Sequence, residues 1–102
     1  MGSVVVERTV SDRSAVTVRL RGDVDTVAGA HLRPVLVDML MREKPARILI
    51  DLRHATALDA SVLGTLRAAH ELARDAKLIM TFASAGSRVA QQLVLQGLPA
   101  TG

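Results

Sequence analysis

Residues 48–66 read ILIDLRHATALDASVLGTL, and they combine a strand pattern with a helix pattern. The stretch opens with an apolar run of β-branched residues and leucine, which is typical of a strand covered on both faces. It closes on apolar residues at helical spacing. Asp59 stands between the two parts, where a carboxylate accepts hydrogen bonds from the free N–H groups of a helix start. The stretch predicts a strand, an N-cap at Asp59 and a helix that runs to about Arg74. The helical stripe comprises Val62, Leu66, Ala69 and Ala73.

Strand patterns flank this stretch on both sides. Residues 15–22 (AVTVRLRG) alternate between apolar and polar side chains, which predicts a half-buried strand. Residues 4–8 (VVVER) predict a strand before it, and residues 11–14 (SDRS) suit a hairpin turn between the two. Residues 77–83 (KLIMTFA) repeat the apolar pattern of residues 46–52 (ARILIDL). The sequence thus predicts four strands.

Two further helices are predicted around these strands. The first has Thr26 as its N-cap and contains Pro34, which removes one backbone hydrogen bond and should kink the helix. The last is capped by Ser87 and ends in a Schellman motif at Gly97 and Leu98. Helical spacing is carried by Leu32, Val35, Leu36, Met39 and Leu40 in the first helix and by Val89 and Leu93 in the last.

The predicted order of elements is β-β-α-β-α-β-α, and 102 residues suit a single domain over residues 1–102. Two strand–helix–strand units imply parallel neighbours joined by right-handed crossovers, with the first strand antiparallel at an edge. The fold class is therefore α/β, with a mixed four-stranded sheet and three main helices.

The composition argues against several classes of site and partner. The chain has no cysteine, which excludes disulfides and thiolate chemistry. Its 13 basic and 10 acidic residues are mixed along the chain, and it has one Phe and neither Trp nor Tyr. Because stacking aromatics are almost absent, no direct nucleic-acid binding is expected. No signal-peptide pattern or membrane-length apolar run occurs, so the protein is expected to be soluble and cytoplasmic, without membrane insertion.

No catalytic or metal-ligand spacing is evident. His31, His54 and His70 are isolated from one another, so solvent-facing or half-buried side chains are expected rather than ligands. The GDVD stretch at residues 22–25 could hold a metal or a phosphoryl group, but the partners of such a site are missing from later strand ends. A turn whose aspartates accept from backbone donors is favoured instead. Neither an enzyme nor a cofactor or metal is expected.

Three motifs, in this order, resemble those of the STAS domain, the fold of bacterial anti-sigma-factor antagonists. They are RGDVD at residues 21–25, ILIDLRHATALDASVLGTL at residues 48–66 and SRVAQQLVLQGL at residues 87–98, and the resemblance covers about residues 4–98. In that family an anti-sigma factor serine kinase phosphorylates the serine directly after the motif's aspartate. The unphosphorylated form binds the kinase and frees the sigma factor. The resemblance implies such a kinase as the partner of this chain.

The centre of the motif departs from the family pattern Asp-Ser-Ser/Thr-Gly-Leu. Asp59 matches the aspartate, but Ala60 stands where the phosphorylated serine should be, Ser61 matches the second small residue and Val62 replaces the glycine. One step along a helix rotates a side chain by about 100°, so Ser61 is a poor substitute for phosphorylation. Thr56, expected in the preceding loop, is weaker still. The resemblance predicts an antagonist without a working phospho-switch.

The predicted partner-binding surface combines the turn after the second strand with the start of the second helix. Both follow the carboxyl ends of adjacent parallel strands, where α/β proteins gather functional loops. Its residues are Asp23, Asp25, Asp59, Ala60, Ser61 and Val62.

Three alternatives stay open. The chain could be a STAS structural or regulatory subunit of a larger assembly, such as a lipid-transport or stress-signalling complex. Asp59 could be a helix cap and nothing more. Family members commonly continue with another strand or helix, whereas this chain stops at residues 99–102 (PATG), and a missing element would leave a sheet edge or a helix face for a partner or a homodimer.

Overall fold

The computed structural model of the protein describes residues 2–8, 15–84 and 86–101. The strands are β1 (Ser3–Arg8), β2 (Ala15–Val24), β3 (Arg47–Leu58), β4 (Ile79–Ala83) and β5 (Ala100–Thr101). The helices are α1 (Thr26–Asp38), which continues as a π-helical turn over Met39–Glu43, α2 (Ala60–Asp75) and α3 (Ser87–Leu95).

The strands form one mixed sheet in the order β1-β2-β3-β4-β5. β1 pairs antiparallel with β2, and the remaining pairs are parallel. The predicted four strands, their order and the three helices are confirmed. β5 was not predicted, because its two residues are too few to show an alternating pattern. The predicted hairpin turn at residues 11–14 lies outside the described residues.

One face of the sheet forms the core with α1, α2 and α3. Alternate residues of β2, β3 and β4 point to this face, as the two-residue period of a strand requires. They form one buried cluster with the inner sides of the helices. The buried strand residues are Val16, Val18 and Leu20 on β2, Ile48, Ile50 and Leu52 on β3, and Met80 and Phe82 on β4.

The strands are longer than the apolar runs that predicted them. β3 continues to Leu58 because its register with β2 runs on to the pair Val24 and Leu58. Thr56 therefore lies within β3 and not in a loop. The GDVD stretch is the irregular end of β2 rather than a turn: Gly22 has φ of 72°, and the register shifts between Gly22 and Asp23. A glycine fits this left-handed conformation without steric cost.

Two predicted helix caps were wrong. The N-cap of α1 is Asp25, not Thr26, because the Asp25 carboxylate accepts a hydrogen bond from the backbone N–H of Ala28 at 3.0 Å. Ser87 is the first residue of α3, whose N-cap is Gly86 without a side-chain hydrogen bond. α1 continues through Pro34 for another turn, and its kink stays a prediction.

The helix ends are held by backbone hydrogen bonds. The N–H of Leu98 donates to the carbonyl of Leu93 at 3.0 Å and that of Gly97 to Val94 at 2.9 Å, which confirms the predicted Schellman motif. α2 ends in the same way with Lys77 at φ of 61°, so Lys77 belongs to the helix terminus and not to β4.

A carboxylate is buried on the sheet face opposite the core. Asp51 of β3 has no exposed surface. It accepts hydrogen bonds from Nε of Arg19 at 3.1 Å and from Nε and Nη2 of Arg53, both at 2.9 Å. The hydrogen bonds from Arg53 hold the pKa of Asp51 far below its usual range, against the opposing effect of burial. This ion cluster joins β2 and β3 side by side.

Candidate functional site

The predicted surface residues meet where β2 and β3 end. Val24 is paired with Leu58, and the N–H of Asp59 donates to the carbonyl of Val24 at 2.9 Å. Each strand is followed at once by an aspartate that caps the next helix, Asp25 for α1 and Asp59 for α2. The predicted juxtaposition of the two loops is therefore confirmed. We call Asp23, Asp25, Asp59, Ala60 and Ser61 the loop-edge surface.

Asp59 fixes the start of α2 through Ser61. One oxygen of the carboxylate, Oδ2, accepts from the backbone N–H of Ser61 at 2.9 Å and from its hydroxyl at 2.6 Å. The predicted N-cap is confirmed, and Asp59 has the extended backbone that the position requires, with φ of −67° and ψ of 152°. The hydrogen bond from the Ser61 hydroxyl, followed by that from its N–H, lowers the pKa of Asp59.

The first residues of α2 point in different directions. Ala60 and Ser61 are exposed, whereas Val62 has 0% of its side chain exposed. Val62 was wrongly included among the contact residues, because it turns inward and cannot touch a partner. Because of this burial, the branched side chain that replaces the family's glycine does not stand on the surface.

Gly29 of α1 makes room for Val62. A Cβ atom added to Gly29 would lie 2.9 Å from Cγ2 of Val62, closer than carbon atoms in proteins approach. The helices α1 and α2 therefore touch at this point with no side chain from α1 between them. Because Val62 is three residues after Asp59, this contact fixes the loop-edge surface against the core.

Gly29→Ala is expected to lower the free energy of unfolding by roughly 1–2 kcal/mol, because overpacking outweighs the better helix propensity of alanine. Val62→Ala removes the methyl groups that face Gly29. Gly29→Ala should therefore lower the free energy of unfolding less in the Val62→Ala protein than in the wild-type protein. Gly64→Ala is the matched control, since nothing lies within 4 Å of its added Cβ, and it should stabilise α2. Chemical denaturation measures all four variants. A Gly29→Ala protein as stable as Gly64→Ala would contradict the close contact.

Gln92 of α3 is a site residue that sequence reasoning missed. Its Oε1 accepts from the N–H of Leu58 at 3.1 Å, and its Nε2 donates to the Leu58 carbonyl at 2.9 Å. The register of β4 with β3 stops at the pair Asp51 and Ala83, so the side-chain amide pairs with Leu58 as a strand peptide would. Its only sequence signal is a glutamine beside the apolar stripe of α3. Gln92 is a positioning residue, because it holds the strand end from which Asp59 projects.

The three histidines are separate from this site. His31 and His54 are exposed, and His70 is half-buried with its ring centroid 5.9 Å from that of Phe82. These positions agree with the expected solvent-facing or half-buried side chains. Within residues 2–8, 15–84 and 86–101 no three His, Asp or Glu side chains are grouped as metal ligands would be.

None of the helices in the described part of the chain combines the length and the apolar character that crossing a bilayer requires.

Solved structures of known proteins have a fold similar to that of this chain. Three solved structures that are similar to this chain share at most 20% of their residues with it, so their similarity shows the fold alone. The anti-sigma factor antagonist SpoIIAA in its unphosphorylated form superposes with a TM-score of 0.81 at 15% identity, covering 98% of this chain and 88% of that one. An anti-sigma factor antagonist from Mycobacterium paratuberculosis gives a TM-score of 0.78 at 20% identity, covering 98% and 85%.

A sulfate transporter family protein from Wolinella succinogenes is also similar, with a TM-score of 0.70 at 16% identity, covering 89% of this chain and 70% of that one. No curated protein matches the sequence. The model of one protein family, described as the STAS domain, matches residues 6–101. Since this match spans nearly all of the described sheet and helices, the chain belongs to the STAS domain family.

Proposed function

We propose that this protein is an anti-sigma-factor antagonist of the cytoplasm that binds a kinase-type anti-sigma factor and thereby releases a sigma factor. It acts by binding and catalyses no reaction itself. The observation that carries the proposal is the exposed start of α2, where Asp59 caps the helix and Ala60 occupies the position of the family's phosphorylated serine. Fold similarity to two anti-sigma factor antagonists supports it.

The proposed antagonist is permanently in its binding form. Ala60 has no oxygen that could accept a phosphoryl group. Ser61 carries the next hydroxyl along the helix, but this hydroxyl already donates a hydrogen bond to Oδ2 of Asp59, with 2.6 Å between the two oxygens. A phosphate on Ser61 would break that bond and place a charge of about −1.5 to −2 beside a carboxylate whose lowered pKa keeps it ionised. Loss of this hydrogen bond opposes transfer to Ser61, whereas the added charge would accompany phosphorylation of the family's serine as well, since that serine also follows the aspartate.

The loop-edge surface offers acidic groups to the proposed kinase. Asp23 is exposed at the end of β2, and Asp25 and Asp59 are partly exposed beside it. A basic group of the partner would meet these charges at an edge that also presents the small Ala60. Such charge complementarity chiefly raises the rate of association and selects the partner.

Charge reversal at Asp23 is expected to weaken binding of the kinase by at least about tenfold, because it puts like charges together in the interface. Asp23 is a better choice than Asp25, whose carboxylate also caps α1. Glu71→Lys is the matched control, since Glu71 is an exposed acid elsewhere, on the outer side of α2. Isothermal titration calorimetry with the anti-sigma factor kinases of the source organism measures the affinities. If both variants weaken binding equally, or if neither weakens it, the contact lies elsewhere. If the wild-type protein binds none of these kinases, the proposed function is refuted.

A second candidate function is that of a subunit or regulatory domain in a larger assembly. The similarity to a sulfate transporter family protein favours it, because the same fold occurs there. Purification from the native cell separates the two functions. Stoichiometric recovery with components other than an anti-sigma factor kinase would support the second.

A further inference from the structure

A groove runs along the outer side of the molecule between α1 and α2. Its middle part has a volume of about 430 Å³, with Gly64 and Ala68 of α2 in its lining and the side chains of Leu36, Leu40 and Leu72 beside them. A hollow of about 380 Å³ adjoins it and shares Arg33, Ser61 and Thr65. A third hollow, of about 420 Å³, shares Leu40 and Leu72 and ends at Lys44 and Asp75. Together they form one channel, which we call the α1–α2 groove.

The α1–α2 groove begins at the loop-edge surface, because Ser61 belongs to both. From Ser61 to Leu72 it follows α2 for roughly 17 Å, which is about three turns of a facing helix. Its walls carry large apolar side chains that the core does not bury: Val37 is 51%, Met41 62% and Leu72 48% exposed. Large apolar side chains grouped on a surface mark a binding region more often than single ones do.

Gly64 keeps the groove open. A glycine inside a helix lowers helix stability relative to alanine. At Gly29 the close contact with Val62 leaves no room for a larger residue. No atom lies within 4 Å of a Cβ added to Gly64, so internal packing does not require a glycine there. The space above it is available to a side chain from outside the protein.

The charge in the groove selects the occupant. Arg33 lines both the middle part and the hollow at Ser61, and no acidic residue lines either of them. Among the described residues Arg33 has no ion-pair partner, whereas the exposed Arg42 and Arg67 pair with acids of their own helices. An occupant therefore needs apolar side chains for the walls and a carboxylate for Arg33.

We propose that the α1–α2 groove receives an amphipathic helix of the partner protein, with apolar side chains at i, i+4 and i+7 and an acidic side chain against Arg33. Helices bind to apolar grooves by this spacing. The proposal rests on the proposed function for the identity of the partner, the anti-sigma factor kinase, and adds the chemistry and position of its main contact. The aspartates of the loop-edge surface then meet a basic group at one end of the same helix.

Two pairs of variants test the proposal against the kinase that binds in the titration above. Gly64→Leu fills the groove, and His31→Leu adds the same side chain to an exposed position of α1 that does not line it. Arg33→Glu reverses the groove charge, and Arg33→Lys keeps it. We expect Gly64→Leu and Arg33→Glu to weaken binding at least tenfold and the two controls to change it less than threefold. Gly64→Leu should melt at or above the wild-type temperature, so its effect would not be loss of folding.

If the kinase binds the wild-type protein, its affinity for Gly64→Leu tests the groove as the docking site. An unchanged affinity would overturn this docking site, while the proposed function would stand. If no kinase binds, a synthetic amphipathic peptide with leucine at i, i+4 and i+7 and one glutamate decides it. Amide shift changes at Gly64, Ala68 and Leu72 that disappear in Gly64→Leu would then support the groove although the proposed function has failed. Shifts elsewhere, or none at millimolar peptide, would overturn it.

Discussion

Asp51→Ala is expected to lower the free energy of unfolding by about 1.5–3 kcal/mol, because it removes a buried carboxylate and leaves the partly exposed guanidinium groups of Arg19 and Arg53 without this acceptor. Asp51 is completely buried and accepts hydrogen bonds from Nε of Arg19 and from Nε and Nη2 of Arg53. It also accepts from the backbone N–H of Arg53 at 3.1 Å. Urea denaturation measures the loss. Asp38→Ala is the control, because Asp38 forms an exposed ion pair with Arg42 at 3.5 Å and should cost less than about 1 kcal/mol.

The same carboxylate determines part of the response to acid. The folded-state pKa of Asp51 is lowered by Arg53, so the unfolded chain takes up the proton at a higher pH than the folded protein does. Its contribution to stability is therefore complete above the unfolded pKa of about 3.9 and is lost as the pH falls below it. Asp51→Asn should flatten the acid limb of the stability curve. A variant that loses stability below pH 4 as steeply as wild type would contradict the role of Asp51, as would equal losses in Asp51→Ala and Asp38→Ala.

Gln92→Leu is expected to lower the free energy of unfolding by roughly 2–3 kcal/mol, because it leaves the N–H and the carbonyl of Leu58 without partners in a partly buried place. The change keeps the size and the helix propensity of the side chain. Unfolding by urea gives the loss, and hydrogen exchange of the Leu58 amide reports the local opening. Gln91→Leu is the neighbouring control, since Gln91 is exposed. If both variants unfold alike, or if the Leu58 amide stays protected in Gln92→Leu, the amide pairing does not hold the strand end.

The parts of the fold that depend on neighbouring residues could be predicted from the sequence. Asp59 was identified as the N-cap of α2 because the cap, its acceptor and the following helical stripe are contiguous. The Schellman motif at Gly97 and Leu98 was identified for the same reason. The caps of α1 and α3 were misplaced by one residue, since the sequence offers two adjacent candidates at each helix start and only backbone geometry separates them.

The parts that depend on strand register could not be predicted. Arg53 and His54 interrupt the apolar run of β3, so the strand seemed to end at Leu52 until its pairing with β2 was known. The partners of Asp51 follow from the same register, which places Arg19 opposite it. Gln92 lies 34 residues from the backbone groups that it binds, a contact that no local pattern can indicate.

The candidate site was predicted in outline and corrected in one residue. Val62 was assigned both to the apolar stripe of α2 and to the contact surface, although one side chain cannot serve both. Gly29 decides between them, because its missing side chain admits Val62 to the contact with α1. The role of the other surface residues remains the proposal to be tested.

Phosphoryl transfer tests the central proposal, an antagonist without a phospho-switch, most directly. The wild-type protein and Ala60→Ser are incubated with the kinase that binds them and with ATP, and intact mass and fragment spectra locate any phosphate. We expect wild type to bind stably and to take up no phosphate, whereas Ala60→Ser should gain one phosphate at position 60 and then dissociate. Phosphate on Ser61 of the wild-type protein, with release of the kinase, would contradict it.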